Sequence, residues 1–231
     1  MYNYEENILI GTGIVRCFKT GGEDFYALKG VDIKIPRGSL TILKGRSGSG
    51  KTTLLNILGA LDQPTKGQVI FDGEEIQELP ESAREAMRRN DIGFVFQSVA
   101  LIPIMNAYEN VDFAMRLAEC EGEYDDRIKH VLNIVGMGER MQHMPGQMSG
   151  GEQQRVAIAR AIAHSPKIIF ADEPTGALDT ETGLKVMHLF KKLVEQEGIT
   201  IVMTTHDPNL MEMGDVVYEV EDGEIVGRYE N

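Results

Sequence analysis

The sequence predicts an α/β fold: a mostly parallel sheet, preceded by a mainly antiparallel β region and interrupted by a helical insertion. A strand at residues 39–43 runs straight into the glycine-rich loop Gly45-Arg46-Ser47-Gly48-Ser49-Gly50-Lys51-Thr52 and then into a helix. Two further apolar strands, at residues 167–171 and 199–204, flank an amphipathic helix carrying Leu184, Met187, Phe190 and Val194. Strand, crossover helix, strand implies parallel pairing, because parallel neighbours need a long connection. Between these parts, residues 98–165 turn helical and are rich in Met, Ala and charged side chains.

In chain order, residues 8–43 hold short β-rich pieces broken by turn signals at Thr20-Gly21-Gly22 and Pro36-Arg37-Gly38, as expected of an antiparallel sheet. After the glycine loop, Leu54, Leu55, Ile57, Leu58 and Leu61 recur at helical spacing, and the helix stops before Asp62-Gln63-Pro64. Gly93-Phe94-Val95-Phe96 reads as another buried strand. The end of the chain, Val216-Val217-Tyr218-Glu219-Val220, then Asp222-Gly223, then Glu224-Ile225-Val226, forms a closing hairpin. The expected division is one domain: residues 1–43 as the antiparallel part, 44–97 and 166–231 as the core around the glycine loop, and 98–165 as a helical subdomain.

At 231 residues the chain is long enough to bury the core of one large α/β domain. A net charge of −13 argues against electrostatic capture of nucleic acid or anionic lipid, so any triphosphate site must be positive only locally. Cys17 and Cys120 stand in no metal-binding spacing and suggest no disulfide framework. The start has no basic and apolar leader pattern, and no apolar run is long enough to span a bilayer. The expectation is a cytosolic chain whose membrane role, if it has one, runs through a separate partner.

The loop at 45–52 fits G-x-x-x-x-G-K-[ST] between a strand and a helix, which is the context such a loop requires. Its glycines let the backbone curl around phosphate oxygens, Lys51 adds a point charge, and Thr52 offers a hydroxyl to Mg²⁺, which prefers oxygen ligands. Asp172 and Glu173 end the apolar run Ile168-Ile169-Phe170-Ala171, and strand alternation gives them different directions. Asp172 would reach the Mg²⁺, while Glu173 would act as general base on the attacking water. Paired acids are more often a solvated strand end, but the upstream loop reverses that balance. His206 and Gln97 also follow buried strands, at the carboxyl ends where ligands of open α/β sheets collect. A second glycine-rich helix start, Met148-Ser149-Gly150-Gly151-Glu152, lies far downstream and needs its own ligand.

Together these motifs, in order and over essentially the whole chain, resemble the ATP-binding cassette (ABC) ATPases. The resemblance implies a P-loop (RecA-like) core and makes the chain an ATPase with ATP and Mg²⁺ as its cofactors. It implies that Gly45 to Thr52, together with Thr53, hold ATP. By the same likeness Lys51, Gln97, Glu173 and His206 serve catalysis, and Thr52, Gln97 and Asp172 serve the metal. Ser149, Gly150, Gly151 and Glu152, with Asp179, would contact the ATP of a second copy in a head-to-tail dimer. The signature departs from the usual L-S-G-G-Q at Met148 and Glu152; the latter suits a helix start but repels phosphate. An aromatic residue stacks on adenine in such cassettes, and spacing favours Phe18 over Tyr26. Some apolar residues between Gln97 and Val111 would face a transmembrane permease subunit, the rest forming subdomain core. Met137, Met141, Met144 and Met148 read as core filler. The motifs are most similar to the lipoprotein-release and macrolide-export group, which implies a peripheral place on the inner face of the cell membrane. The rival is a soluble cassette acting in DNA repair or on ribosomes, which the acidic charge disfavours.

Overall fold

The computed structural model describes residues 5–231, in two sheets and six α-helices. Two long strands, β1 (Asn7–Thr20) and β2 (Glu23–Pro36), form an antiparallel hairpin with Phe18 opposite Phe25 and Cys17 opposite Tyr26. β3 (Leu40–Lys44) leads into the glycine loop, which is followed by α1 (Lys51–Leu58). β4 (Lys66–Phe71) and β5 (Glu74–Glu75) then return to β1, giving a four-stranded sheet of order β2-β1-β4-β5. After α2 (Glu81–Asn90) and β6 (Ile92–Val95) come the helices α3 (Ala107–Leu117), α4 (Asp125–Ile134) and α5 (Gly150–Ile162). The chain closes with β7 (Ile168–Ala171), α6 (Thr180–Glu197), β8 (Thr200–Thr205) and the hairpin of β9 (Val216–Glu221) and β10 (Glu224–Glu230). The second sheet has the order β10-β9-β3-β8-β7-β6, all parallel except at β9-β10.

Alternation along the central strands divides the core into two layers. Leu40 and Ile42 of β3, Ile169 and Ala171 of β7, and Ile201 and Met203 of β8 pack with α3, α4, α5 and α6. Leu43, Ile168, Phe170 and Val202 point the other way, to α1 and the antiparallel sheet. Every residue of β7 and β8 is buried, as a parallel strand covered on both faces requires.

Three boundaries differ from the sequence reading. β3 belongs to the parallel sheet although it lies before residue 44, whereas β4 and β5 join the antiparallel sheet although they lie within 44–97. Strand partners are chosen across the chain, and β4 pairs with β1, with Leu9 opposite Phe71. The antiparallel pieces at 8–43 are two long strands rather than several short ones. Finally, α1 ends at Leu58, and Leu61 is exposed. Gly59 caps the helix where a side chain would meet the Phe94 ring at 2.8 Å, and Ala60 turns into the left-handed region at φ 57°.

Candidate nucleotide site

The glycine loop is held open by its own backbone. Gly45, Gly48 and Gly50 have φ of 157°, 82° and 103°. A Cβ on Gly45 would lie 2.2 Å from the Val220 carbonyl oxygen, and one on Gly50 would lie 2.6 Å from that of Ala27, so neither position has room for one. Lys51, only 4% exposed, donates from Nζ to the carbonyls of Gly45 at 2.8 Å and Arg46 at 2.9 Å. The ammonium therefore lies inside the cradle. Ser47, Gly48, Gly50, Lys51, Thr52 and Thr53 line a cavity of about 250 Å³, which Ala27, Phe25 and Glu173 complete. Ser49 is buried beneath it; its backbone is tied to Gly223 of the β9-β10 turn, and its hydroxyl lacks a hydrogen-bond partner.

Parallel registry brings the acids to the same place. Phe170 pairs with Val202 and Ala171 with Met203, so the ends of β7 and β8 emerge side by side next to the end of β3. Thr52 Oγ1 lies 3.1 Å from Asp172 Oδ1. This hydroxyl and carboxylate are an all-oxygen donor pair across the loop from Lys51. Among the described residues no group of three His, Cys, Asp or Glu could enclose a metal. The pair fits Mg²⁺, which is bound by one or two carboxylates plus substrate phosphates rather than by an all-protein cage.

Glu173 adopts φ 44°, unusual for a residue with a side chain, and its Oε2 lies 3.4 Å from His206 Nδ1. It also borders a second cavity, of about 140 Å³, with His206, Asp179, Gly176 and Thr205. Glu173 thus stands between the loop cavity and this one. Gln97, exposed just after β6, does not line the loop cavity; its amide nitrogen lies against Gly176, 3.2 Å from where a Cβ would be. Asp179 is the N-cap of α6, accepting from the Thr182 N–H at 3.0 Å and hydroxyl at 2.7 Å. Those bonds, the backbone one foremost, hold its carboxyl below the usual range.

The second glycine start is the N-terminus of α5. Ser149 caps it, and Glu152 completes a capping box by accepting from the Ser149 N–H at 2.8 Å. This bond holds the Glu152 carboxyl below its ordinary value, and Arg140 pairs with its other oxygen. Repulsion between Glu152 and phosphate, expected from the sequence, is therefore offset by a counter-charge that sequence reasoning missed. None of Ser149, Gly150 or Gly151 lines the loop cavity of its own chain.

Phe25 is the aromatic residue in the loop cavity, and Phe18 lies directly across the hairpin on the same face. Arg16 covers the Phe18 ring at 4.5 Å. Tyr26, one residue on from Phe25, belongs to the opposite face with Cys17. Alternation counted from buried Ala27 is the signal that would have found Phe25. In the segment expected to meet a partner, Ala107, Asn110 and Val111 are buried, while Ile104 is 82% exposed. Asn110 ties that segment down, accepting from the Ile102 N–H and donating to the Met105 carbonyl. An apolar groove of about 600 Å³ runs alongside, with Leu61, Phe94, Ala114 and Leu117 in it and Arg88 and Arg89 among its lining. Met137 and Met148 are buried, as expected of core filler.

A phosphate loop ending one parallel strand, with a histidine ending the next strand and paired acids the one beyond, defines a P-loop nucleotide hydrolase site. The chain belongs to the ABC transporter family, whose profile matches residues 28–176. It is 46% identical over 217 residues to the uncharacterized ABC transporter ATP-binding protein MJ0796 of Methanocaldococcus jannaschii, covering 92% of each chain. It is 44% identical over 217 residues to the macrolide export ATP-binding/permease protein MacB of Syntrophobacter fumaroxidans, matching 92% of this chain and 30% of that one. The solved dimeric structure of a post-hydrolysis state of the ATP-binding cassette MJ0796, bound to ADP and Pi, matches with a TM-score of 0.88. The identity is 40%, over 96% of this chain and 98% of that one.

Proposed function

We propose that this chain is the ATP-hydrolysing subunit of a membrane transporter, working as two copies that close over ATP and separate after hydrolysis. The observation that carries the reading is that Lys51, Thr52 and Glu173 line one cavity, with Asp172 bonded to Thr52 and His206 beside Glu173, while the Ser149 helix start of the same chain is missing from it. A second copy supplies that missing side. The glycine loop and Lys51 bind the phosphates, and Phe25, with Phe18 beside it, offers an aromatic face to the base. Thr52 and Asp172, joined by Gln97, would hold Mg²⁺, which when bound neutralises phosphate charge.

Glu173 accepts the proton of a water placed between itself and the γ-phosphate. That water's oxygen bonds to phosphorus as the bond to the β-phosphate oxygen breaks, releasing ADP and phosphate. His206 steadies the carboxylate through Oε2. Ser149, Gly150 and Gly151 contact the opposing γ-phosphate through the positive end of α5, and Asp179 approaches it from the start of α6. The apolar groove beside α3, together with exposed Ile104, receives the permease, so the chain works peripherally on the inner membrane face. No helix among the described residues is long and apolar enough to cross the membrane itself. The likeness to MacB, a macrolide export protein by name, supports an efflux system.

The test is Ser149→Arg, which places a bulky side chain where the partner's phosphate must fit. Cooperative hydrolysis should vanish while one copy binds ATP nearly as before. Loss of binding by the single copy would contradict the two-copy site.

A further inference from the structure

Thr204 is fully buried near the end of β8, and the hydrolysis described above uses no group on it. Alternation places it on the same face as Val202, toward α1, where the neighbouring side chains are apolar. Packing alone would be served there by valine. Its hydroxyl nevertheless makes two bonds to the adjacent residues that follow β7: it donates to Asp172 Oδ1 at 2.7 Å and accepts from the Glu173 N–H at 2.8 Å.

We propose that Thr204 is a positioning residue that holds the metal-binding and proton-accepting carboxylates in their working arrangement. The inference rests on the reading of Glu173 as the base. The oxygen of Asp172 that receives the Thr204 hydroxyl also receives that of Thr52, so the carboxylate is fixed facing the phosphate loop. On the other side, Glu173 has a left-handed backbone at φ 44°, a conformation that persists only where the surroundings enforce it. The bond from its N–H to Thr204 is the enforcing contact, and it aims the Glu173 side chain at His206. Without it, the peptide relaxes and the carboxylate leaves the line of attack while ATP still binds.

Three variants separate the hydroxyl from the volume: Thr204→Val, Thr204→Ala and Thr204→Ser, measured as purified full-length chain with Mg²⁺ and ATP. Val and Ala should lower kcat by about tenfold to a hundredfold, since displacements of about 1 Å have effects of that size, with KM for ATP within about twofold of native. Ser should stay within about threefold of the native rate. ATP affinity without Mg²⁺, measured by calorimetry, should stay within about twofold in all three, because the phosphate loop is untouched. In a Glu173→Gln background, adding Thr204→Val should cost less than it does in the native background, because only the part of the loss that runs through Asp172 remains. Native kcat in the Val variant, an equal fall in Ser, or multiplicative losses in the double variant would each overturn the inference. If Glu173→Gln itself turned over normally, the base reading would fall instead; collapse of Glu173→Gln beside a native Thr204→Val would overturn the role of Thr204 alone.

Discussion

Removing the Arg140 guanidinium strips the counter-charge from Glu152, the acid within the signature loop. In the native chain one oxygen of Glu152 accepts from the Ser149 N–H and the other pairs with Arg140. The arginine side chain is 50% exposed, so the pair itself contributes about 0.2–1 kcal/mol to folding. Its effect on ATP-driven pairing is larger, because the opposing γ-phosphate is concentrated negative charge. At a separation of about 6 Å, one uncompensated charge costs about 0.7 kcal/mol in water and about 2.8 kcal/mol at an effective dielectric of about 20. An intermediate cost of about 1–2 kcal/mol corresponds to dimerisation weakened about five- to thirtyfold. The assay is sedimentation with ATP of protein carrying Glu173→Gln to arrest hydrolysis, comparing Arg140→Ala with Arg140→Ala plus Glu152→Gln. The first should dimerise more weakly, with a deficit that shrinks as salt is added; the second should recover most of the loss, since glutamine keeps the cap without the charge. If the double variant dimerises as poorly as Arg140→Ala, charge compensation is refuted.

Phe25→Ala should weaken ATP binding by about 1–3 kcal/mol, the range for a base stacked on an aromatic ring, while Tyr26→Ala stays within about twofold of native. Equal losses at both positions, measured by calorimetry, would refute the face assignment. Gly45→Ala puts a Cβ 2.2 Å from the Val220 carbonyl oxygen at a φ of 157°, so ATP binding should be lost and thermal stability lowered; a native melting curve with native affinity would contradict this. The Ser149 N–H holds the Glu152 carboxyl below 4.5, so its contribution to stability is present above that pH and disappears as pH falls through the lower folded value. The stability difference between native protein and Glu152→Gln, from urea unfolding, should therefore shrink as the pH is taken below 4.5.

What was legible in the sequence was local. Lys51, Thr52 and the glycines are contiguous, and Asp172 and His206 each end a run of β-branched and apolar residues, so both the residue types and their strand-end placement could be read directly. What was hidden depends on partners distant in the chain. The attachment of β4 to β1, the early end of α1 beneath Phe94, and the Arg140 counter-charge on Glu152 are set by tertiary contacts that no local pattern encodes. Alternation from Ala27 puts Phe25 on the same strand face, but that this face borders the phosphate loop is set by the tertiary fold. Thr204, within Thr200-Ile201-Val202-Met203-Thr204-Thr205, reads from sequence as strand alone; its chemistry follows from Asp172 and Glu173 emerging beside it.

The most direct measurement is the steady-state ATP hydrolysis rate of Glu173→Gln beside the native protein. Glutamine fills the same space and can still approach His206, but it cannot take a proton from water. The rate should fall by about 10²–10⁴-fold, the usual contribution of a positioned general base. A Glu173→Gln protein that hydrolyses ATP at the native rate would contradict the account.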